Sequence, residues 1–395
     1  MPPSTSLQPP RLNNSALPDL LIVKRIAKIP ISQAYRMSTC SDVESPLPGY
    51  GTTANPPGST IPPNTVYSQP HFTSGDFAEE NPRPVLKPGL YVPTLTFFKK
   101  DTEVLDEETI ADHAVRMAKA GAAGLLTQGT NGEAAHLLHL ERTVVTKTTR
   151  DALDRAGYVH IPVIVGCGAQ STRETIELCR EAQSSGGDYA IILPPSYYKG
   201  MYTTESIKRF YTDVANASPI PILIYNYPSV TAGVDLDSDT IIELAKHTKI
   251  VGCKLTCGNT GKLNRIAAAT KCQTHTDRGS GFMCMGGSAD FTLQTLVGRG
   301  SGVVAGLANL TPRICNKLIE LYTTGKVDEA QTLQAAVARG DQAATKTGIV
   351  GTKSALQTFY GYGGYARRPL PRPTEQEVTN YSSAFEEIVG MEKLV

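Results

Sequence analysis

The sequence predicts an α/β protein of the (β/α)8 TIM barrel class, with a C-terminal helical extension and a disordered N-terminal leader. Three observations support this prediction. Short apolar runs rich in β-branched residues alternate with helical patterns from about residue 90 to residue 322. The runs are apolar throughout rather than alternating, which is typical of strands buried in a parallel sheet. The first 88 residues differ sharply from this pattern in composition.

The strand and helix patterns follow one another in a regular order. Eight β-then-α units fit into about 230 residues, which is the size of a (β/α)8 barrel. A doubly wound sheet normally has a G-x-G-x-x-G turn after its first strand, whereas LTFFKKD follows here. The predicted strands cover residues 90–96, 123–128, 161–166, 188–193, 220–225, 250–255, 281–286 and 302–306. Clear helical patterns cover 107–120, 172–185 and 236–247.

Three further helical patterns follow the eighth strand, at residues 327–346, 353–361 and 374–390. They lie beyond the last unit that a closed barrel needs, so we expect them to pack on its outside. The chain is therefore expected to divide into a leader (1–86), a barrel with the active site (87–323) and a helical extension (324–395).

The leader is rich in proline, because 16 of the 27 prolines fall in residues 1–88. With no sustained apolar period, such a segment is predicted to be disordered. Residues 1–41 contain five basic residues and a single acid, Asp19. A basic, acid-poor leader is typical of a mitochondrial transit peptide. There are two alternatives. The segment is a plain disordered tail of a cytoplasmic protein, or translation starts at Met37 and the residues before it are not part of the working protein.

Composition excludes several classes of protein. The formal net charge is only +1, so nothing in the overall charge favours binding to nucleic acid or to an anionic membrane. No apolar stretch reaches 18 residues, which argues against a membrane span. The eight cysteines include no C-x-x-C pair and several lie in strand-like runs, so we expect buried free thiols.

In a barrel of this kind the active site forms at the carboxyl ends of the strands. The segments at those ends are GTNGEA (129–134), PPSYYKG (194–200), YNYPS (225–229), GGSAD (286–290) and AGLAN (305–309), together with Lys254. They supply hydroxyl, amide, phenol and carboxylate groups and two amines, Lys199 and Lys254. This list depends on position alone.

Lys254 is the most informative of these residues because it lies inside the apolar run IVGCKL. Burying an ammonium is costly, and a buried amine is favoured in the neutral form that attacks a ketone to make a Schiff base. The alternative is a strand-end lysine that reaches water. Tyr225 ends the preceding strand, where a phenol can relay a proton or simply pack in the core.

Each of the other polar groups has both a functional interpretation and a purely structural one. The backbone N–H groups of GTNGE and the Thr130 hydroxyl can bind a carboxylate, or the segment is a plain strand-to-helix loop. Tyr197 and Tyr198 follow Pro194 and Pro195 and suit either an interface or local packing. His136 and His139 are too few to form a metal site, and no phosphate-binding loop motif is present, so we expect no metal and no cofactor.

Taken together, these strand ends resemble the dihydrodipicolinate synthase and N-acetylneuraminate lyase superfamily of class I, pyruvate-dependent aldolases. The resemblance spans about residues 87–370 and rests on GTNGE, PPSYY, YNYPSVTAG, GCKLTCGN, GGSAD and GLAN in that order. It implies a (β/α)8 barrel, Schiff-base chemistry on a small keto acid, no cofactor, and a homotetramer built as a dimer of dimers.

The resemblance also implies a role for individual residues. Lys254 would form the imine with the keto carbon, and Tyr225 would carry the proton to and from the aldol oxygen. Thr130 would link Tyr225 to solvent, with Tyr198 entering from a neighbouring subunit. For substrate binding, the amides of Thr130 and Asn131 would hold the carboxylate, and Gly287 and Val304 would line the pocket near the imine.

Two departures from the pattern bear on the substrate. Dihydrodipicolinate synthases carry an arginine two residues after the proline of YNxP, where this chain has Val230. Leu255 replaces the usual acidic residue after the lysine. The motif variants look most like eukaryotic 4-hydroxy-2-oxoglutarate aldolases and fungal 2-keto-3-deoxy-L-galactonate aldolases. Two alternatives remain: the protein is a dihydrodipicolinate synthase, or it is an inactive paralogue that only binds keto acids.

Overall fold

The computed structural model describes residues 83–395. Eight parallel strands pair in chain order and close on themselves, β1 with β8, so the predicted (β/α)8 barrel is confirmed. The strands are β1 (Gly89–Pro93), β2 (Gly124–Thr127), β3 (Val163–Gly166), β4 (Tyr189–Ile192), β5 (Ile222–Asn226), β6 (Ile250–Leu255), β7 (Met283–Gly286) and β8 (Gly302–Val304). Residues 1–82 of the predicted leader, with the disorder predicted for them, lie outside the described residues.

Helices follow each strand and form the outer layer. They are α1 (Glu107–Lys119), α2 (His139–Arg155), α3 (Thr172–Ser184), α4 (Thr204–Ala217), α5 (Ser238–Leu244), α6 (Thr260–Thr270), α7 (Thr292–Val297) and α8 (Pro312–Thr323). Several begin at a side chain that accepts a hydrogen bond from the first turn. Asp106, Ser171 and Asp237 cap α1, α3 and α5 in this way, which satisfies amides that the helix leaves unpaired.

The strands separate two layers of core. The inner layer fills the barrel with one or two side chains from each strand, among them Tyr91, Leu126, Leu223, Met285 and Val304. The outer layer packs the other face of the strands against the helices. Because both faces are buried, the strands contain no polar alternation, and this explains the continuous apolar runs in the sequence.

The observed strands are shorter than the predicted ones at two prolines. β3 begins at Val163 rather than residue 161, and β5 begins at Ile222 rather than residue 220. Pro162 and Pro221 still accept a bond from the neighbouring strand through their carbonyls, but they have no N–H to donate. Each strand therefore starts at the residue after its proline, two residues later than predicted.

The helical extension consists of α9 (Val327–Tyr360) and α10 (Glu375–Glu392). The predicted break between the first two helical segments corresponds to Gly348, which interrupts α9 with a non-helical backbone at φ 61° and ψ −154°. At the other end of the barrel, ordered contacts begin before residue 87. Leu86 is buried in the inner layer, and the Tyr189 hydroxyl donates to the Pro84 carbonyl at 3.0 Å.

Candidate active site

Lys254 and Tyr225 lie side by side at the carboxyl ends of adjacent strands. In the parallel register Tyr225 of β5 pairs with Lys254 of β6, which in turn pairs with Met285 of β7. Both side chains enter the barrel and are only 4% exposed. The Lys254 Nζ lies 4.2 Å from the centre of the Tyr225 ring, over its face. The strand order thus places an amine and a phenol in one buried pocket.

The surroundings of Lys254 differ from those of the other buried lysines. Residues 83–395 contain three buried lysines, and two of them form ion pairs, Lys262 with Asp235 and Lys353 with Glu133. Lys254 forms none within this part of the chain. The Lys254 amine is therefore not engaged by a carboxylate of residues 83–395, and an amine that attacks a carbonyl carbon is the nucleophile in imine formation.

The GTNGE loop follows β2 and lies at the mouth of the barrel. Thr130 and Asn131 are half-buried there. A side chain on Gly306, just after β8, would come within 2.8 Å of the Asn131 amide nitrogen, so the loops after β2 and β8 are in contact. The loop ends at Glu133, whose left-handed backbone (φ 52°) turns the chain into a short 3-10 helix over Ala134–His136.

Gly287 and Val304 lie at the carboxyl ends of β7 and β8, respectively. Val304 is fully buried inside the barrel and pairs with Tyr91 of β1. Gly287 follows β7 and packs against Thr256, two residues beyond Lys254. A Cβ at this position would lie 2.0 Å from the Thr256 hydroxyl oxygen. Only glycine fits here without moving the end of β6.

Tyr198 is the one predicted site residue that lies on the surface of the chain. It is 59% exposed and forms an edge-on pair with Tyr197, which is 79% exposed, with ring centres 5.0 Å apart. Met201, in the next turn, is also exposed. Within one chain this apolar surface is left open to water, whereas Lys254 and Tyr225 are buried.

Two polar residues that follow Tyr225 and Lys254 in the chain, Asn226 and Lys262, are engaged in the scaffold. The Asn226 amide donates to Asp235 at 2.7 Å and accepts from the Leu236 amide, and Lys262 binds the same carboxylate. Val230 remains half-exposed at the rim, in a 3-10 turn over Pro228–Val230. Leu255 is buried in the outer layer, on the opposite face of β6 from Lys254.

The extension contacts two rim loops through buried charges that the sequence analysis did not single out. Lys353 of α9 forms an ion pair with Glu133 of GTNGE, with both side chains fully buried. Asp341 of α9 accepts from the Ser288 hydroxyl of GGSAD, and burial raises the pKa of this carboxyl to about 6. The only sequence signal for the ion pair of Lys353 and Glu133 was a lysine among the small and apolar residues of GTKSAL.

Metal ligation finds no support among the described residues. No group of three His, Cys, Asp or Glu side chains in residues 83–395 is placed to hold a metal ion. His136 bonds to Glu133 and His139 to Glu181. In the same part of the chain, no helix has the length and apolarity needed to cross a bilayer.

The fold and the position of the site define the class: a (β/α)8-barrel enzyme with its polar groups gathered at the carboxyl ends of the strands. The chain matches the model of the dihydrodipicolinate synthetase family over residues 87–388. A relative from Emericella nidulans, named as a mitochondrial 4-hydroxy-2-oxoglutarate aldolase, is 51% identical over 308 residues, covering 78% of this chain and 97% of the relative. The chain therefore belongs to the dihydrodipicolinate synthetase family.

Two further similarities agree with this assignment. The L-threo-3-deoxy-hexylosonate aldolase of Hypocrea jecorina is 50% identical over 310 residues, covering 78% of this chain and 98% of the relative. A solved structure of a dihydrodipicolinate synthase family protein from Coccidioides immitis superposes with a TM-score of 0.69 at 33% identity. That comparison covers 78% of this chain and 98% of the other.

Proposed function

We propose that this protein is a class I aldolase in which Lys254 forms a Schiff base with the keto group of a 2-keto-4-hydroxy acid. The observation that carries the proposal is the burial of Lys254 beside Tyr225 without a carboxylate partner in the described residues. Relatives about half identical to the chain are named as aldolases, which supports the reaction class. No metal or cofactor is required by this chemistry.

The substrate that we favour is 4-hydroxy-2-oxoglutarate, cleaved to pyruvate and glyoxylate. A second candidate is 2-keto-3-deoxy-L-galactonate, which is the L-threo-3-deoxy-hexylosonate of the Hypocrea jecorina relative's name and yields pyruvate and glyceraldehyde. The relatives named for the two activities are 51% and 50% identical to the chain, so identity alone does not separate them. Turnover of a panel of 2-keto-4-hydroxy acids, with identification of the aldehyde released, decides between them.

The mechanism follows from the electronics of the imine. The Lys254 amine attacks the keto carbon, and Tyr225 gives its proton to the hydroxyl that leaves as water. Tyr225 becomes a phenolate, and a protonated C=N bond remains. This bond withdraws electrons, so the C3–C4 bond breaks and its electron pair forms an enamine. Tyr225 accepts the proton of the C4 hydroxyl as the aldehyde departs. Protonation of the enamine at C3 and hydrolysis of the imine then release pyruvate and free Lys254.

Other rim residues have supporting roles in this proposal. The amides of Thr130 and Asn131 hold the carboxylate of the keto acid, and Thr130 passes the proton from Tyr225 towards solvent through Tyr198. Gly287 and Val304 shape the pocket around the imine. Groups arranged in advance around developing charge account for a large share of the rate in many enzymes.

Trapping with borohydride tests the imine directly. Pyruvate and borohydride should label the peptide GCKLTCGN irreversibly, and Lys254→Ala should lose both the label and turnover. Lys262→Met is the matched control, because Lys262 is equally buried but is paired with Asp235. Full turnover by Lys254→Ala, or labelling at Lys262 in the wild type, would contradict the assignment.

Condensation of pyruvate with aspartate semialdehyde should be negligible. Val230 offers no charge to the second substrate's carboxylate, and a charged, bidentate contact contributes about 1.5–3 kcal/mol, or roughly ten- to a hundredfold. Efficient dihydrodipicolinate synthase activity in a coupled assay would refute this part of the proposal.

We also propose that Tyr198 acts in the site of a neighbouring subunit and that the protein is a homotetramer. The exposed surface formed by Tyr197, Tyr198 and Met201 supports an interface at this point. Tyr198→Phe should lower kcat without changing the oligomer, whereas Tyr197→Phe should have little effect. Mixed Tyr198→Phe and Lys254→Ala subunits should regain part of the activity, and no recovery after verified exchange would exclude action between subunits.

A mitochondrial location is the last part of the proposal. Two relatives are named as mitochondrial 4-hydroxy-2-oxoglutarate aldolases, and residues 1–41 have the composition of a transit peptide. A reporter fused to residues 1–41 should enter mitochondria. A signal confined to the cytoplasm would favour the alternative location.

A further inference from the structure

The ion pair between Glu133 and Lys353 joins the active-site rim to the helical extension across 220 residues of chain. The Lys353 Nζ lies 2.6 Å from one carboxylate oxygen of Glu133. The other oxygen accepts from the backbone amide of Arg367 at 2.9 Å and from His136 at 3.1 Å. Both Glu133 oxygens are therefore bound by groups that the extension supplies.

Glu133 transmits this restraint to the loop that precedes it. It is a non-glycine residue with a left-handed backbone, a conformation that persists only where surrounding contacts enforce it. Its amide donates to the Thr130 carbonyl at 3.1 Å. On the other side, the Thr96 hydroxyl donates to the Gly132 carbonyl at 2.7 Å. The turn from Thr130 to Glu133 is thus closed by an internal hydrogen bond and is anchored to groups outside it at Gly132 and Glu133.

Stability alone is a poor explanation for such a pair. A buried ion pair loses the hydration of two charges, and apolar replacements of similar volume are often neutral or stabilising. Besides Glu133 and the Tyr365 carbonyl, which accepts from the ammonium at 3.1 Å, Lys353 has apolar neighbours. The ring centres of Phe98 and Phe97 lie 4.6 and 5.9 Å from its Nζ. The pair does supply something that methyl groups lack, namely a fixed direction for the Glu133 carboxylate.

We propose that Lys353 is a positioning residue for substrate binding. Through Glu133 it fixes the GTNGE loop in the geometry in which the amides of Thr130 and Asn131 receive the keto-acid carboxylate. The helical extension then contributes to substrate binding and does not only pack on the outside of the barrel. This inference rests on the proposed function, because it assumes that these amides bind the carboxylate of the substrate that Lys254 attacks.

The inference predicts a separation between binding and chemistry. Lys353 acts on the carboxylate, so its loss should raise the concentration of pyruvate needed for half-maximal labelling of Lys254. The amine that forms the imine lies on β6 and not in this loop, so labelling at saturating pyruvate should be retained. Acetone forms an imine with the same amine but has no carboxylate. The concentration of acetone needed for half-maximal labelling of Lys254 should therefore be unchanged.

The test uses three variants of the full chain. Lys353→Met removes one charge, and Glu133→Gln combined with Lys353→Met removes both, which avoids an unpaired buried carboxylate. Arg313→Met is the control, because Arg313 pairs with Glu392 of the extension away from the GTNGE loop. Half-saturation by pyruvate and by acetone, and the midpoint of urea unfolding, are measured for each.

We expect the double variant to unfold near the wild-type midpoint but to need about tenfold or more pyruvate for half-maximal labelling, with acetone labelling unchanged. Lys353→Met should show the same loss wherever it folds, and Arg313→Met should match the wild type. Wild-type half-saturation by pyruvate in the double variant would overturn the inference, as would an equal loss for acetone. Absence of label in the wild type would instead refute the proposed function.

Discussion

Replacing Gly287 by alanine should displace the end of β6 and impair catalysis from a position that carries no functional group. The added methyl would lie 2.0, 2.6 and 2.7 Å from three atoms of Thr256, including its Cα. Carbon atoms in ordinary contact are about 3.5–4.0 Å apart, so the two segments must separate by about 1 Å. Gly287 does not have a left-handed backbone, so this contact is the only expected source of strain.

Both stability and turnover should respond. Forcing extra atoms into a filled site costs about 1–3 kcal/mol, and we expect the upper end here because the Cα of Thr256 cannot rotate away. Thr256 is two residues from Lys254, and a shift of about 1 Å in a reacting group can lower the rate roughly a hundredfold. Urea unfolding measures the first effect, and steady-state kinetics with borohydride labelling measures the second.

Gly390→Ala is the control for this experiment. No atom lies within 4 Å of a Cβ at Gly390, and the residue belongs to α10, so alanine should raise stability by up to about 1 kcal/mol. If Gly287→Ala keeps the stability and turnover of the wild type, the packing argument is refuted. Lost stability with unchanged turnover would show that the strain does not reach Lys254.

Two further predictions concern Asp341 and the start of the ordered chain. The pKa of Asp341 is raised by burial from 3.8 to about 6, so the folded state holds its proton more tightly and the free energy of unfolding should fall as pH rises through that window. Relative to Asp341→Asn, this loss should total roughly 3 kcal/mol in urea unfolding followed against pH, and parallel curves for the two proteins would contradict it. Removing residues 1–82 should leave stability and turnover unchanged, whereas removal through Leu86 should cost about 2–5 kcal/mol, because Leu86 is buried inside the barrel. Equal stability of the two truncated chains would show that the burial of Leu86 inside the barrel does not stabilise the fold.

Much of the fold was predictable because its elements are determined locally. A strand buried on both faces needs a short run of apolar residues, and each of the eight runs forms a strand. The errors lie at the ends of strands, where Pro162 and Pro221 belong to the apolar run but cannot donate to the ladder. Gly348 breaks α9 within the gap that the helical pattern left.

Part of the site was also accessible from the sequence. Consecutive strands of a barrel are neighbours, so a lysine and a tyrosine at the ends of the sixth and fifth strands must lie together, and they do. PPSYYKG alone left open whether Tyr198 lies at an interface or packs locally, whereas the family resemblance implied that it reaches a neighbouring subunit. Its 59% exposure agrees with the second expectation.

By itself, the sequence determined the barrel, the order of its strands and the rim on which the polar residues gather, because each depends on patterns within a few tens of residues. Only the tertiary structure decided which of the three buried lysines in residues 83–395 lacks a carboxylate partner from that part of the chain. Lys254, Lys262 and Lys353 all lie in helical or strand patterns, and their surroundings differ because Asp235 and Glu133 reach two of them but not the third. Electrostatic environment depends on distance in space, and Glu133 and Lys353 meet only after the extension has folded back across the rim.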